Sequence, residues 1–359
     1  MRTLLHIGMT KTGSTALQQS LRRSHAALRA RGVLYPLDPA RPDSINHKLI
    51  LAGLFDWRGS RSGLLPAAER PPSRAPDCAR FFADLRATIA AAPPRCLILS
   101  TESLFRILPA AAPARLPGLL AGLTADLAVV AYLRRPAEHY LSRLQQHLKA
   151  AHAPPQPSPP RYRAVLEQYA TIFGAEALAL GVFHRTTLAE GDVVADFAAR
   201  RLAPYGVTRA DLAAPVETNA TLSAESVDIS RRFRLAFHRD RDHRFTPDST
   251  RLVAALRAAD AATGAPRPRL RPGIAERVDA AQPDPLWLRD RHGIVFPEFD
   301  YARLEAGRPP PPEGDLALED IIEIDRGRER AILAALRAAP WAAKPARRAW
   351  IDALAAELA

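Results

Sequence analysis

The hydrophobic pattern of this chain predicts a three-layer α/β fold: a central, mainly parallel β-sheet flanked by helices, followed by a helical C-terminal part. Three observations lead there. Short apolar runs without polar alternation recur at residues 3–7, 96–100, 126–133 and 178–183, segments with helical spacing lie between them, and beyond Glu190 the pattern is largely helical. Unalternated apolar strands are buried on both faces, as in parallel sheets, and the helical crossovers that join such strands cover those faces.

Residues 3–7 form a short β-compatible run closed by Gly8, and after a polar loop residues 15–31 carry Leu17, Leu21 and Leu28 at helical spacing. Residues 37–76 are rich in Pro, Gly, Arg and Asp, which predicts an irregular excursion with one helical piece near 48–55. Long loops in compact domains are often functional. Residues 77–91 read as a helix ended by Pro93 and Pro94, CLILS (96–100) as a buried strand, 116–123 as a helix, and DLAVVAYL (126–133) as another buried strand. Pro136 opens a helix through Lys149, at the position where proline is best tolerated. APPQPSPP (153–160) is a semi-rigid linker, 162–173 a helix and LALGVF (178–183) a fourth strand. Helices are then expected over 192–203, 223–237, 248–262, 318–338 and 346–358, with a second linker at 309–312. The expected organisation is an α/β core over 1–210, with 211–359 completing the same domain.

The chain has 359 residues, enough to bury a sizeable core, and only two cysteines, Cys78 and Cys96. That excludes a disulfide framework or a cysteine-rich zinc site and favours a reducing compartment. The opening MRTLLHIGM is shorter than the apolar stretch of a secretory signal or of a membrane span, so a soluble, cytoplasmic protein is expected. The formal net charge is +12, yet only Lys11, Lys48, Lys149 and Lys344 are lysine and the rest of the basic residues are arginine. Arginine, alanine and proline are in excess together, so much of this charge reads as solvated surface. The basic blocks at Arg231, Arg232 and Arg234 and at Arg239, Arg241 and Arg244 are interleaved with Asp240 and Asp242, which does not resemble a nucleic-acid stripe. His139, His147, His152 and His243 lack metal-ligand spacing, so no metal is expected. Oligomeric state is not legible.

The most informative segment is HIGMTKTGSTALQQSL (6–21). A glycine-rich turn from strand to helix presents backbone N–H groups and the positive end of the helix dipole, which together make an anion site. Gly8, four residues, Gly13, Ser14 and Thr15 have the outline of a phosphate loop of nucleoside triphosphatases, but Ser14 stands where the lysine belongs and the lysine sits inside the loop as Lys11. This is a poor loop for ATP. The plain structural alternative is a turn in which Ser14 or Thr15 caps the helix.

The string KTGSTALQ (11–18) resembles the 5′-phosphosulfate-binding loop of the sulfotransferases that use 3′-phosphoadenosine 5′-phosphosulfate (PAPS), whose fold resembles that of the P-loop kinases. YLRRPAEHYLSRLQQ (132–146) resembles the same family's 3′-phosphate segment, with Arg134 at the strand end and Ser142 eight residues on. The two segments lie about 120 residues apart, in the right order and each at a strand-to-helix junction. The resemblance implies that Thr10, Lys11, Thr12, Gly13, Ser14 and Thr15 hold the 5′-phosphosulfate, with Lys11 neutralising the oxygen that bridges phosphate and sulfate. It implies that Arg134, or its neighbour Arg135, and Ser142 hold the 3′-phosphate, where a guanidinium grips two oxygens at once. It covers about residues 3–150 well, continues weakly through 178–197 and 217–226, and has no specific match in the C-terminal third.

Sulfuryl transfer resembles phosphoryl transfer: an acceptor hydroxyl or amine attacks in line and negative charge grows on the departing phosphate. Lys11 and the loop amides suit that anion without magnesium. A base is also needed. His47 has the ordinary pKa for the task, and Glu102 follows a sheet strand at its carboxyl end, where α/β folds collect ligands. The family uses histidine in some branches and glutamate in others, so both stay open. The resemblance thus implies an enzyme of the EC 2.8.2 type, with PAPS as co-substrate, PAP as product, no metal, and a carbohydrate, lipid-linked or small-molecule acceptor. An atypical P-loop small-molecule kinase is the enzymatic alternative, and a polyanion-binding module the non-enzymatic one. The acceptor would be bound by the less regular parts, around 37–76, 150–162 and the C-terminal helices.

Overall fold

A computed structural model describes residues 1–54, 75–124, 126–216, 221–307 and 315–358. The expected fold class is what it has: a five-stranded, all-parallel sheet between helices, and a helical C-terminal part. The strands are β1 (Arg2–His6), β2 (Val33–Leu34), β3 (Cys96–Ser100), β4 (Asp126–Leu133) and β5 (Leu178–Val182), in the order β2-β3-β1-β4-β5. β1 is central, with His6 level with Ser100 on β3 and with Val130 on β4. Leu4 and Leu5 are both buried because each face is covered. Leu4, Ile98, Val130 and Tyr132 pack with Leu17, Leu21, Val194 and Phe197 on one of those faces.

Two compact units divide the chain: Met1–Arg135, Arg161–Val216 and Asp284–Phe299 form the sheet unit, and Pro136–Pro160, Glu217–Pro283 and Asp300–Ala359 the helical unit. This differs from a boundary near residue 210. The helix Pro136–Leu148 groups with the C-terminal helices, while 284–299 joins the sheet unit, where Asp284 Oδ2 accepts from Arg163 N at 2.9 Å and Phe296 packs on Tyr162. The helical unit has its own core of Tyr140, Leu144, Phe233, Leu256, Ile332 and Trp341.

Three expected helices are interrupted. The helix read over 15–31 is two, α1 (Ser14–Arg23) and His25–Ala30, broken where the Ser24 hydroxyl accepts the N–H of Ala213 at 2.7 Å. The helix over 192–203 is Val193–Phe197 followed by a wide turn at Ala198–Leu202 and a tight one at Ala203–Tyr205 that stops at Gly206. The helix over 318–338 is Leu318–Ile321 and Arg326–Ala338. Pro272–Ala280, Asp284–His292 and Tyr301–Ala306 are helices too short for periodicity to reveal. The linker at 309–312, much of the excursion at 37–76 and part of the 217–226 segment lie outside the described residues.

Candidate functional site

In an open α/β sheet, ligands collect beyond the carboxyl ends of strands whose connections leave in opposite directions. β1 leads toward β2 and β4 leads toward β5, on opposite sides of the sheet, so the β1–β4 junction is such a point. The loop holding Lys11 follows β1, and Arg134 follows β4.

The loop is tightly wound. Gly8, Lys11 and Gly13 all have positive φ, at 39°, 67° and 74°. A Cβ on Gly8 would lie 2.6 Å from Ser14 Oγ, and one on Gly13 would lie 2.8 Å from Val193 Cγ1 and 2.9 Å from the Phe183 ring, so only glycine fits either position. Lys11 holds the left-handed conformation with a side chain on it, at a cost of order 1–3 kcal/mol. The hydroxyl of Thr12 is spent inside the loop, donating to Met9 O at 2.6 Å, and that of Ser14 reaches the same oxygen at 3.5 Å. Thr10 is exposed and Thr15 half-buried. The N-cap of α1 is Gly13, with no side-chain cap and no acidic residue in the first turn, so neither Ser14 nor Thr15 is the capping residue. The positive end of α1 therefore has no neutralising side chain of its own.

Arg134 Nη1 donates to the carbonyl oxygen of Lys11 at 3.2 Å, and its guanidinium lies 5.7 Å from the centre of the Phe183 ring. Its own carbonyl accepts the Tyr162 hydroxyl. Burial first, and then the charge of Arg134, push the pKa of Lys11 down. Among the described residues no carboxylate forms an ion pair with Lys11. Arg135 approaches Glu298 Oε2 at 3.8 Å. The structure thus brings Lys11, Thr12, Gly13, Ser14 and Arg134 together. Ser142 lies half-buried on the helix Pro136–Leu148 of the helical unit.

The two candidate bases differ sharply. His47 is buried, its Nε2 hydrogen-bonded to Pro36 O at 2.8 Å and its Nδ1 accepting the N–H of Ser100 at 2.9 Å. With both ring nitrogens held by backbone, and burial pushing its pKa down to about 4, His47 has no lone pair to offer a substrate. This corrects its reading as a base: His47 is a clamp that seats the start of the excursion on the end of β3. Its own N–H also donates to Ser100 O, and its ring packs edge-on against Tyr35. Glu102 is half-buried and opens a single turn, Glu102–Leu104, just past β3, with Thr101 capping it.

Three residues around Glu102 escaped sequence reasoning. Gln18 Nε2 donates to Glu102 Oε2 at 3.0 Å and to Ser100 Oγ at 3.1 Å, and Ser100 Oγ lies 2.8 Å from His6 Nδ1. Burial pushes the pKa of His6 down to about 4. Gln18 closes the quoted string KTGSTALQ, four residues after Ser14 and so on the same face of α1, a signal that was available. Nothing in the sequence pairs Ser100 with His6, because that pairing depends on strand register. Among the described residues no group of three or more His, Cys, Asp or Glu is arranged to hold a metal ion. No helix among them is long and apolar enough to cross a membrane. No family model, no curated protein and no solved structure matches the chain.

Proposed function

We propose that this protein is a sulfotransferase that moves a sulfuryl group from PAPS to a hydroxyl of a carbohydrate, lipid-linked or small-molecule acceptor. The observation that carries the reading is a loop in which Lys11 has no carboxylate partner among the described residues, is pressed against Arg134, and adjoins an uncapped helix N-terminus. Like charges held together in a partly buried site repel, and a bound anion relieves that repulsion. The 5′-phosphosulfate would lie on the loop amides and Lys11, and the 3′-phosphate against Arg134.

In the step itself, the acceptor hydroxyl gives its proton to the Glu102 carboxylate as its oxygen bonds to sulfur. The bond from sulfur to the 5′-phosphate oxygen breaks, and its electron pair stays on that phosphate, which Lys11 and the amides stabilise. The products are a sulfate ester, PAP and a protonated Glu102 that returns its proton to solvent. Ser14 would release Met9 O, a long contact of 3.5 Å, to donate to the phosphate. Cys78 and Cys96 are buried free thiols with pKa values pushed up to about 11 by burial, which suits the cytoplasm we assign.

A thermal-shift panel of PAP, ATP and ADP, each with and without magnesium, tests the reading. Stabilisation by PAP without magnesium is expected, and Lys11→Ala should lose transfer while keeping the fold. Stabilisation by ATP with magnesium in preference to PAP would establish a kinase instead.

A further inference from the structure

We infer that Gln18 is a positioning residue that orients the base Glu102; this role rests on the sulfotransferase reading above. Gln18 is 1% exposed, and its amide nitrogen donates to both Glu102 Oε2 and Ser100 Oγ. The orientation of that amide follows from the carboxylate, since the reversed amide would set an oxygen 3.0 Å from Glu102 Oε2, acceptor against acceptor. Ser100 Oγ accepts from Gln18, so its own proton points to Nδ1 of the neutral His6. The result is a directed chain, Gln18 to Ser100 to His6, which anchors one side of the amide while the other side holds Glu102.

Gln18 Oε1, by contrast, is buried without a partner. An unsatisfied buried acceptor is unfavourable, and a methionine or leucine of similar shape would avoid it. The amide therefore earns its place through its donor half. That donor occupies Oε2 of Glu102 and leaves Oε1 to take the acceptor proton. Because Gln18 is one turn along α1 from Ser14, the same helix that offers its N-terminus to the phosphosulfate also fixes the base. Donor binding and proton removal are thereby held in one rigid element.

The test uses the full chain and radiolabelled PAPS with water as the sulfuryl acceptor, alongside stabilisation by PAP. Gln18→Met is expected to lower kcat about 10- to 100-fold. The KM for PAPS and the PAP-induced shift in melting temperature should stay at wild-type values. The double variant with Glu102→Gln should be no slower than Glu102→Gln alone. Gln18→Leu, which also removes the donor, should show the same split and serves if the methionine variant does not fold. Wild-type kcat in either variant, or losses that multiply fully with Glu102→Gln, would overturn the role of Gln18 alone. A wild-type protein that is neither stabilised by PAP nor turns over PAPS overturns the sulfotransferase reading and this role with it.

Discussion

In the sheet unit the buried polar groups at the carboxyl ends of β1 and β3 are neutral: His6, His47 and Ser100 are tied to one another and to backbone, and the cation nearby, Lys11, has no carboxylate to pair with among the described residues. In the helical unit several of the buried carboxylates already have guanidinium partners from the same chain. Asp228 is fully buried and accepts from Arg231 at 2.7 Å, Arg232 at 2.9 Å and Arg326 at 3.1 Å, while Arg326 also binds Glu329 at 2.6 Å and Arg328 binds Glu225 at 2.8 Å. Arg234 is buried as well, but it donates to neutral oxygens, Ser249 Oγ and Arg241 O. The contrast shows why a net charge of +12 says little about ligands. Basic residues compensated by their own chain hold a fold together, and the cation left without a carboxylate beside a helix N-terminus is the one the proposed donor site uses.

The largest expected effect falls on the uncompensated cation. Lys11→Gly should lower PAPS turnover by about 100- to 1,000-fold, the scale of losing one group that stabilises a developing anion. It should also raise the melting temperature, because glycine adopts the positive φ at no steric cost. A loss of activity with a fall in stability would make Lys11 structural and erase the contrast between the units.

Next in size is the compensated anion. Asp228→Ala leaves Arg231, Arg232 and Arg326 facing a void, and denaturant unfolding should show a loss of about 3–5 kcal/mol. Replacement of an exposed partner such as Glu357 should cost under about 1 kcal/mol.

Acid separates the two chemistries further. His6 and His47 are neutral in the fold, with pKa values near 4, and ordinary once unfolded, so between about pH 4 and 6.5 the unfolded chain binds protons that the folded one does not. Stability should therefore be complete above pH 6.5 and fall as pH drops toward 4, by up to roughly 3 kcal/mol for each histidine. His47→Gln should flatten this dependence by one proton in unfolding experiments run across that range.

A pH effect of opposite sign should come from Glu329, whose carboxyl burial pushes up to about 7 against the pull of Arg326. The folded state here holds a proton that the unfolded state has lost, so its contribution falls as pH rises from about 4.5 to 7, opposite in sign to the histidines. Glu329→Gln should therefore compare more favourably with wild type at pH 8 than at pH 5 in thermal melts.

Much of the fold was legible from local pattern. CLILS and DLAVVAYL became β3 and β4 at their expected limits because an unalternated apolar run has one good solution, a strand buried on both sides. The Tyr162–Phe173 helix was equally plain. Breaks inside helices were not, since the one at Ser24 depends on an N–H from Ala213, almost two hundred residues away. The same limit governed the site. The loop glycines and Lys11 could be read from spacing, whereas the choice between His47 and Glu102 required knowing that Ser100 N and Pro36 O occupy the imidazole.

Composition and periodicity alone were enough to establish an α/β sheet with a helical continuation and a glycine-wound turn after the first strand, because strand burial and glycine geometry act over a few residues. Which histidine is spent on backbone, which carboxylate Gln18 holds and where the two units divide all depend on contacts between distant segments. Those contacts are made only when parallel strands come into register, so no local pattern in the chain encodes them.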